Sequence, residues 1–499
     1  MANFAGFVGP AYKMASLPID SQRCINWYTE KQQNNNSASL YVLQPTPGYL
    51  TLTTVTDTSL PLGSYTRGIY RTTRGLGVKP DVNGSVIMVV GPNVYELKQD
   101  NSYTLLGKIT NRTSQVSMVD DGFGLIIVDG VGMYRLDLTT RAFAKVSFDL
   151  TEPTSVAFMG GYTIVIGQQK NIPQNTFFWS GLYDNASWGA LDYASAESSA
   201  DAITGMVTTG GYLWLFGPSS YEVWSPTGDK DLPYQRAYAS TGTVGLTANF
   251  SLNTVQNKVL MIGSNAQGSA IAFASQGTEM IRISTLALEA EWSGVNITDA
   301  SSWTYSQEGH VFWVINFDLL DKTYVYDLSE EAWHERATRN PVTDVLHRWA
   351  PNYCVQRGGQ ILVGDRYSTK LFELSHSYTL EDGNNVLRVR TTAHTRTELK
   401  LFQLNKVTFD MDTGNGITAE DPARYSQAPT CMYRYSWDSA RTWSSEIRQQ
   451  FGAMGQYKTM MEFRRHGRGR VYTVDFKISD PCKTAILGAW IDVEVAGQR

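Results

Sequence analysis

The sequence predicts an all-β protein, with a β-propeller of six or seven blades, a β-sandwich-like platform domain after it, and very little helix. One unit of short apolar strands and glycine turns recurs at intervals of 38 to 51 residues. Aromatic residues make up 12% of the chain, and their rings pack well on the pleated surface of strands. After residue 385 the repeat stops and longer alternating strands take over.

The repeated unit consists of a turn, a short apolar strand, a second turn and a strand that carries Tyr or Phe. Its copies begin near Gly84, Gly122, Gly161, Gly211, Lys258, Gly309 and Gly359. A period of about 40 to 50 residues with several strands per unit is typical of a β-propeller. One strand pair cannot bury its own apolar face, so neighbouring units must stack around an axis. A meandering β-sandwich, which needs no fixed period, is the alternative.

The strand patterns divide the chain into three parts. Residues 1–60 contain Pro- and Asn-rich stretches and are expected to form an extended arm that contributes to the platform. Residues 61–385 hold the repeats, and residues 386–499 show the strict alternation of half-buried antiparallel strands. Short helical turns are expected at 284–292 and at 340–354 and nowhere else.

Composition excludes several classes of function. A net charge of −5 argues against a nucleic-acid binder built on bulk basicity. No apolar run approaches the ~20 residues of a membrane span, and the first residues lack the pattern of a signal peptide. The four cysteines contain no Cys-x-x-Cys pair, and the six histidines form no local metal pair. We therefore expect no metal, no cofactor and no catalytic residues.

The motif Ser436-Trp437-Asp438-Ser439-Ala440-Arg441-Thr442-Trp443 matches the Asp-box pattern of tight β-hairpins, except that Ala440 occupies the usual glycine position. In such a hairpin the Asp side chain accepts hydrogen bonds from turn amides, and the last Trp packs under the turn. We interpret Ser436, Asp438, Thr442 and Trp443 as structural. Ala440 then has either a negative φ or a strained conformation.

The most concentrated basic run is Arg464-Arg465-His466-Gly467-Arg468-Gly469-Arg470. An exposed turn between two strands is the simple interpretation, and an anionic partner is the functional one. Each phosphate that arginines neutralise adds about −0.9 to the salt dependence of DNA binding, so a channel lined this way would hold DNA rather than pass it. The run is therefore predicted to contact protein.

Motifs at both ends of the chain carry a family resemblance. The first are Arg23-Cys24-Ile25-Asn26-Trp27-Tyr28 and Thr46-Pro47-Gly48, and the second are the basic run, 452–457 and Ser479-Asp480-Pro481. With these motifs the chain resembles the packaged-DNA stabilisation proteins, the tail hub or nozzle proteins of short-tailed bacteriophages. Ser439-Ala440 departs from the two glycines that are common in the family hairpin.

The resemblance implies a structural virion protein of the phage tail, assembled in the host bacterial cytoplasm. It implies a homohexamer that extends the channel of the portal and head-to-tail adaptor, retains packaged double-stranded DNA without sequence specificity, and docks a tail needle or plug and tail fibres or tailspikes. The expected assembly interface comprises Arg23, Asn26, Trp27, Arg464, Arg465, Arg468 and Arg470.

Two other functions compete with the tail hub. A carbohydrate-active, sialidase-like or glycan-binding tail propeller would explain the Asp-box-like motif, but it requires carboxylates and arginines converging on one pocket. The sequence shows no such constellation, and it contains a single Asp-box-like motif. A general propeller scaffold in a cell is the third possibility, and it would not need the Pro- and Asn-rich arm.

Overall fold

The structure is a computed structural model that describes residues 2–4, 6–11, 20–32, 40–78, 83–110, 114–197, 201–398 and 400–495. Within these ranges it is a seven-bladed β-propeller joined to a β-sandwich. The predicted all-β fold class is confirmed. No helix in the described part of the chain is long and apolar enough to cross a membrane.

Five strands precede the first complete blade. They are β1 (Ala2–Asn3), β2 (Arg23–Ile25), β3 (Trp27–Lys31), β4 (Tyr41–Pro45) and β5 (Gly48–Thr54). The first four join the sandwich sheets, whereas β5 joins the last blade of the propeller. The N-terminal segment therefore serves both domains.

Blades 1 to 4 are antiparallel sheets of four strands each. Blade 1 contains β6 (Thr66–Arg71), β7 (Val86–Val90), β8 (Asn93–Leu97) and β9 (Tyr103–Lys108). Blade 2 contains β10 (Ser117–Asp120), β11 (Gly124–Val128), β12 (Met133–Asp137) and β13 (Phe143–Lys145). Blade 3 contains β14 (Thr151–Met159), β15 (Tyr162–Gln168), β16 (Thr176–Gly181) and β17 (Asp184–Ser195). Blade 4 contains β18 (Gly205–Thr209), β19 (Tyr212–Phe216), β20 (Tyr221–Pro226) and β21 (Tyr234–Gly242).

Blades 5 to 7 are less regular. Blade 5 contains β22 (Gly245–Leu246), a 3₁₀ turn (Asn249–Ser251), β23 (Asn253–Val255), β24 (Lys258–Asn265), β25 (Gly268–Gln276) and β26 (Glu279–Arg282), and α1 (Leu286–Trp292) follows it. Blade 6 contains β27 (Ser301–Gln307), β28 (His310–Phe317), β29 (Lys322–Asp327) and β30 (Ala332–Arg339), with β31 (Leu346–Arg348) beside β30. Blade 7 contains β32 (Pro351–Arg357), β33 (Gln360–Asp365), β34 (Lys370–Ser375) and β5, and β35 (Leu380–Glu381) and β36 (Asn384–Asn385) lie beyond β5.

Of the two expected helical turns, one exists. The helix α1 lies within 284–292, and the Thr285 side chain accepts a hydrogen bond from the Leu288 amide at its start. The expectation for 340–354 is wrong, because 346–348 pairs with β30 and β32 begins at Pro351. Strand pairing within the propeller overrides the local helical tendency there.

The first strand of each blade lies next to the axis, where it approaches the first strands of the neighbouring blades. Apolar clusters fill the space between each pair of neighbours; for example, Phe177 and Trp179 of blade 3 pack with Leu215 of blade 4. The ring closes where β32 of blade 7 meets β6 of blade 1. The outer strand β5 is N-terminal and pairs with β34, so distant parts of the chain complete the last blade.

The sandwich follows the propeller. Its strands are β37 (Arg388–Thr391), β38 (Thr395–Arg396), β39 (Phe402–Met411), β40 (Thr430–Ser436), β41 (Ile447–Gln450), β42 (Met461–Gly469), β43 (Val471–Ile478) and β44 (Ile486–Val495). One sheet has the order β3-β4-β44-β39-β42, with β1 beside β44, and the other has the order β2-β37-β43-β40-β41, with β38 beside β43. Side chains such as Phe7, Trp27, Phe409 and Phe476 fill the space between the sheets.

A continuous sheet connects the two domains. The outer strand of blade 6, β30, pairs in parallel with β2 through Ile25 and Glu335, and β2 is the first strand of a sandwich sheet. The strands β41 and β42 lie at the ends of their sheets opposite β2 and β3. The predicted limits of 60 and 385 stay a prediction, although β5 lies in a propeller sheet rather than in the platform.

The two domains differ in charge. Residues 61–385 carry 22 basic and 32 acidic side chains, a net charge of −10. Residues 386–499 carry 17 basic and 12 acidic side chains, a net charge of +5. The overall charge of −5 thus conceals an acidic propeller and a basic sandwich.

Candidate functional site

Asn26 forms the corner between β2 and β3 and is completely buried. Its φ of 56° is left-handed, a conformation that Asn tolerates better than most residues. Its Nδ2 donates to the carbonyls of Ala337 and Leu387, both at 2.9 Å, and its Oδ1 accepts from the Ala337 amide at 3.0 Å. One side chain thus joins the N-terminal segment, blade 6 and the start of the sandwich.

The predicted assembly interface requires a correction at Asn26 and Trp27. Both side chains have no exposed surface; Trp27 lies in the sandwich core, and the Cys24 thiol donates to its carbonyl oxygen at 3.3 Å. A buried side chain cannot contact another subunit without unfolding its surroundings. The Asn-Trp motif therefore stabilises the junction of the two domains within one chain.

Arg23 precedes this corner and reaches solvent. Its side chain is 40% exposed, and its Nη2 lies 3.7 Å from Glu335 Oε1 of blade 6. Partial exposure is compatible with the predicted contact to another subunit, which stays a prediction. The neighbouring arm residues 16–19 and 33–39 of the predicted motif region lie outside the described residues.

Three arginines that the sequence analysis did not single out are buried at the junction: Arg336, Arg388 and Arg390. The Arg336 guanidinium stacks over Trp349 at 3.7 Å, donates to the Pro47 carbonyl at 3.0 Å and lies 3.6 Å from Glu381 Oε1. Burial raises the pKa of Glu381, and the charge of Arg336 opposes that shift. This pair ties blade 6 to the strands beyond blade 7.

The other two buried arginines belong to β37. Arg390 donates to the carbonyls of Phe7 at 2.6 Å and Gly6 at 2.9 Å, so it anchors the first residues of the chain. Arg388 has Nε and Nη1 atoms without a hydrogen-bond partner among the described residues. The alternating pattern of its strand did not indicate that Arg388 is buried, because alternation normally points arginines outward.

Three of the six histidines surround the ring of Tyr28 on β3. The centroids of His310, His334 and His376 lie 5.1, 6.3 and 6.2 Å from it. A hydrogen bond of 2.6 Å to Asp327 raises the pKa of His310. Burial, helped by the charge of Arg336, lowers the pKa of His334 to about 3. Neighbouring imidazoles at the junction thus have pKa values shifted in opposite directions.

The basic run lies on β42, the exposed edge strand of its sheet. Arg464, Arg465, Arg468 and Arg470 are all exposed, as their predicted role requires. The strand bulges at this point, with φ values of 67° at Arg465 and 83° at Gly467. His466 points inward, accepts or donates a 3.0 Å hydrogen bond with Tyr433, and has its pKa lowered to about 4 by burial. The contact of these arginines with protein stays a prediction.

The Asp-box-like hairpin forms the turn after β40. Asp438 Oδ1 accepts from the Arg441 and Thr442 amides at 3.1 and 2.9 Å, and Oδ2 accepts from the Thr442 hydroxyl at 2.6 Å. These bonds, the Thr442 hydroxyl foremost, lower the pKa of Asp438 to about 2. Ser436 Oγ accepts from the Ala440 amide at 3.0 Å.

The hairpin is built as a strained turn rather than as a catalytic centre. Ala440 has a φ of 65°, so of the two alternatives the strained one holds. Trp443 is half-buried and lies under the Arg434 guanidinium at 4.7 Å. Trp437, rather than Trp443, packs inward against Tyr472 and Phe402.

A cavity of about 250 Å³ lies along the propeller axis. The side chains of its wall come from the first strands of the blades and include Tyr70, Ser117, Thr154, Asn253 and Tyr353. No carboxylate belongs to this wall among the described residues. In the same part of the chain, no cluster of three or more His, Cys, Asp or Glu residues could hold a metal ion.

Comparisons with known proteins match both domains. Residues 40–379 match the family model described as Bacteriophage P22 Gp10, beta-propeller, and residues 387–494 match the model described as Bacteriophage P22 Gp10, beta-sandwich. No curated protein sequence matches the chain.

Solved structures match the chain at low sequence identity and with TM-scores below 0.5. The extracellular domain of a hybrid two-component system from B. thetaiotaomicron has 10% identity, a TM-score of 0.42, and 66% coverage of this chain but 39% of its own. For YCF48 from Cyanidioschyzon merolae the identity is 12%, the TM-score 0.39 and the coverage 66% and 99%. The WD40 β-propeller domain of Doa1 has 9% identity and a TM-score of 0.38, with 66% coverage of this chain and 96% of its own.

Proposed function

The chain belongs to the bacteriophage P22 Gp10 family, and from this membership we propose that it is the tail hub, or nozzle, of a short-tailed phage. Membership makes it a phage structural protein involved in stabilising packaged DNA, and a component of the virion. In the proposed role, six copies form a ring that extends the channel of the portal and adaptor. The ring retains DNA until ejection and docks a tail needle or plug and tail fibres or tailspikes.

The observation that carries this proposal is that both domains match the same family. The propeller match spans 40–379 and the sandwich match spans 387–494. A propeller alone is a common scaffold that hosts many unrelated functions. The combination with this particular sandwich is far more specific than either part.

The charge distribution supports passage of DNA rather than tight binding. Each copy carries −5, and its negative charge is concentrated in the propeller, so the propeller surfaces of an assembled ring repel the phosphate backbone. The concentrated arginines lie on one outer edge of the sandwich, on β42. In the proposed ring, arginines held away from the channel would let DNA slide, and a plug or a mechanical block would retain it.

The wall of the axial cavity bears on the carbohydrate-active alternative. Glycoside hydrolysis requires two carboxyl groups on either side of the scissile bond. The described wall of the cavity presents hydroxyl, amide and aromatic groups instead. The carbohydrate-active alternative therefore gains no support from this site.

The test is a phage in which the gene for this chain is disrupted and the chain is supplied from a plasmid. Without the chain, filled heads should lose their DNA, measured as empty heads in electron micrographs and as nuclease-sensitive genome. With the chain, gold-labelled antibody should mark one vertex of each particle. Stable DNA-filled particles that contain no copy of the chain would exclude the proposed role.

A further inference from the structure

The β42 edge of the sandwich and the loop before it carry exposed apolar and basic side chains. We call this surface the edge band and define it by Met454, Tyr457, Met460, Arg464, Arg465 and Arg468. Tyr457 is 69% exposed and Met460 is 64% exposed. They adjoin β42, on which the arginines lie.

The loop that carries the apolar part of the band is held in place by backbone hydrogen bonds. The Met454 amide donates to the Ser426 carbonyl at 3.0 Å, and the Gly455 amide donates to the Gly414 carbonyl at 2.9 Å. Neighbouring exposed apolar side chains that form a patch mark interaction sites more often than scattered ones do. Tyr, Met and Arg are the residue types enriched at protein interfaces.

The opposite end of the molecule has complementary properties. The outer strand of blade 3, β17, and the turn before it expose Leu182, Tyr183 and Leu191, the last of which is 84% exposed. Residues 149–202 contain six acidic side chains and one basic side chain, Lys170, a net charge of −5. No other blade is as acidic: the next, blade 6 with its connections (301–350), carries −4.

The carboxylates of blade 3 are available for a partner. Asp184 accepts only local hydrogen bonds, from the Ala186 amide and the Ser187 hydroxyl. Asp149, Glu152, Asp184, Asp192 and Glu197 form no ion pair with any residue that the structure describes. Arg465 and Arg468 of the edge band likewise have no ion pair within the described chain.

The topology separates these two surfaces. The sandwich is attached at blades 6 and 7, and in a ring of seven blades the position opposite that attachment is blade 3. The arginines of the edge band lie on β42, at the end of its sheet opposite β3. The loop with Met454 packs on residues 414–426, and Glu420 of that segment accepts a hydrogen bond from the Thr379 amide beside blade 7, not from blade 3. One copy therefore cannot bring its edge band to its own blade 3.

We propose that the edge band of one copy binds the outer face of blade 3 of the next copy, as the repeated contact of the ring; this rests on the proposed tail-hub function. In this contact, the arginines of the edge band lie against the carboxylates of blade 3. The Met and Tyr side chains of the edge band lie against the exposed Leu and Tyr side chains of blade 3. Different surfaces meet on the two partners, so the contact is heterologous and closes into a ring at a suitable rotation. DNA is a poorer occupant, because phosphates would leave the exposed Met454, Tyr457 and Met460 uncovered.

The first test exchanges the charges. Arg465→Glu with Arg468→Glu should reduce the number of copies per phage particle and the fraction of purified ring at least about tenfold, because like charges at a contact cost several kcal/mol. Asp184→Lys with Asp192→Lys should do the same. The chain with all four changes should regain assembly, since the pairs are then restored in reverse.

Matched controls exclude a general charge effect. The control variants are Arg441→Glu, on the Asp-box-like hairpin, and Glu279→Lys, on blade 5. Both native residues are exposed. Each should leave assembly unchanged. Folding of every variant is checked by its thermal unfolding. Well-folded double variants that assemble normally, or a four-fold variant that does not recover, would overturn the proposal.

The second test is chemical crosslinking with a bismaleimide. A chain with Arg468→Cys and Asp192→Cys should yield a ladder of crosslinked oligomers up to the closed ring, and each single variant should yield none. The native chain under the same conditions controls for Cys24, Cys431 and Cys482, which are buried, and for Cys354. Dimers from Arg468→Cys alone would indicate a symmetric contact and overturn the proposal.

The two proposals fail in different ways. If the chain marks one vertex of each particle but the charge exchange leaves assembly intact, the head-to-tail contact is wrong and the tail-hub function stands. If Arg465→Glu with Arg468→Glu keeps the ring but releases DNA, the arginines face DNA and the contact is wrong. If particles contain no copy of the chain, the function is wrong, and the crosslinked ladder of the purified chain still tests the contact.

Discussion

The interfaces between blades are mainly apolar, whereas the junction between propeller and sandwich combines a small apolar cluster with buried charged groups. Between blades, side chains such as Phe177, Trp179 and Leu215 form apolar clusters. At the junction, Arg336 and Glu381 are buried together with polar side chains. Apolar contacts stabilise in proportion to the area they bury and specify direction weakly. A buried polar network is satisfied in one arrangement and penalises others. We infer that apolar contacts stabilise the ring of blades, whereas the buried polar network fixes the orientation of the sandwich.

Removing the buried carboxylate should produce the largest effect. Glu381→Gln would leave Arg336 uncompensated at a position without exposed surface, which costs about 3–5 kcal/mol. Urea unfolding would measure the loss. The exposed Glu279→Gln is the control and should change the free energy of unfolding by less than about 0.5 kcal/mol. A small loss for Glu381→Gln would mean that the junction does not depend on its charges.

The corner residue should have the next largest effect. Asn26→Ala removes hydrogen bonds to Ala337 and Leu387 and puts Ala at a φ of 56°, so we expect a loss of about 3 kcal/mol. Asn26→Gly tolerates the conformation and should lose about 1 kcal/mol less. Thermal unfolding of both variants separates the two causes. Equal losses would show that the backbone conformation contributes nothing.

Acid should weaken the junction through His334. Its pKa falls from 6.5 to about 3 in the folded protein, so the unfolded chain binds the extra proton and stability is lost as pH drops below 6.5. Each such histidine contributes up to about 1.4 kcal/mol per pH unit. His466, with a pKa of about 4, adds in the same direction.

His310 has the opposite sign, because its raised pKa favours the folded state until pH rises through that value. Asp327, Arg336 and Glu308 face this cluster. The free energy of unfolding between pH 7 and 4.5 measures the net slope. His334→Gln should flatten it, and an unchanged slope would contradict the assignment.

A substitution in the Asp-box-like hairpin should have the smallest effect, and it should increase stability. Ala440→Gly removes the strain of a φ of 65°, which costs about 1–2 kcal/mol for a residue with a side chain, and adds unfolded-state entropy of about 0.4–1 kcal/mol. We expect a net stabilisation of about 0.5–1 kcal/mol, seen as a raised Tm. The same change at Ala489, a buried strand residue of the sandwich, should destabilise.

The sequence predicted what is local and missed what is distant. Each blade has its own turns and apolar strands, which a local pattern reveals. All seven predicted starts of the repeated unit, from Gly84 to Gly359, therefore fall at or just before described strands. The partner of β5 is separated from it by more than 300 residues, and no local pattern indicates such a pairing. The 340–354 error has a different origin, since there a local hairpin between β30 and β31 outweighs the helical tendency.

The predictions for the candidate site show the same distinction between local and distant contacts. The exposed arginines of β42 and the capping role of Asp438 follow from residue type and turn chemistry, and both were within reach of the sequence. Burial of Asn26 and Trp27 depends on blade 6 and on the sandwich core, so a conspicuous motif was assigned to a surface that it does not occupy. Arg388 and Arg390 lie on the inward face of an alternating strand, against the usual rule.

The pairing of β1 with β44 and of β5 with β34 has a consequence for synthesis on the ribosome. Ala2 pairs with Ile491 and Gly48 pairs with Ser375, so β1 and β5 have no such partners until β44 and β34 emerge. At about 5–20 residues per second, the N-terminal strands wait on the order of 20–100 s as unpaired edges. Blades 1 to 4 can form meanwhile, but blade 7 closes late and the sandwich last. The nascent chain is thus most vulnerable to aggregation through its N-terminal strands, and its final step is a long-range closure of the kind that slows folding.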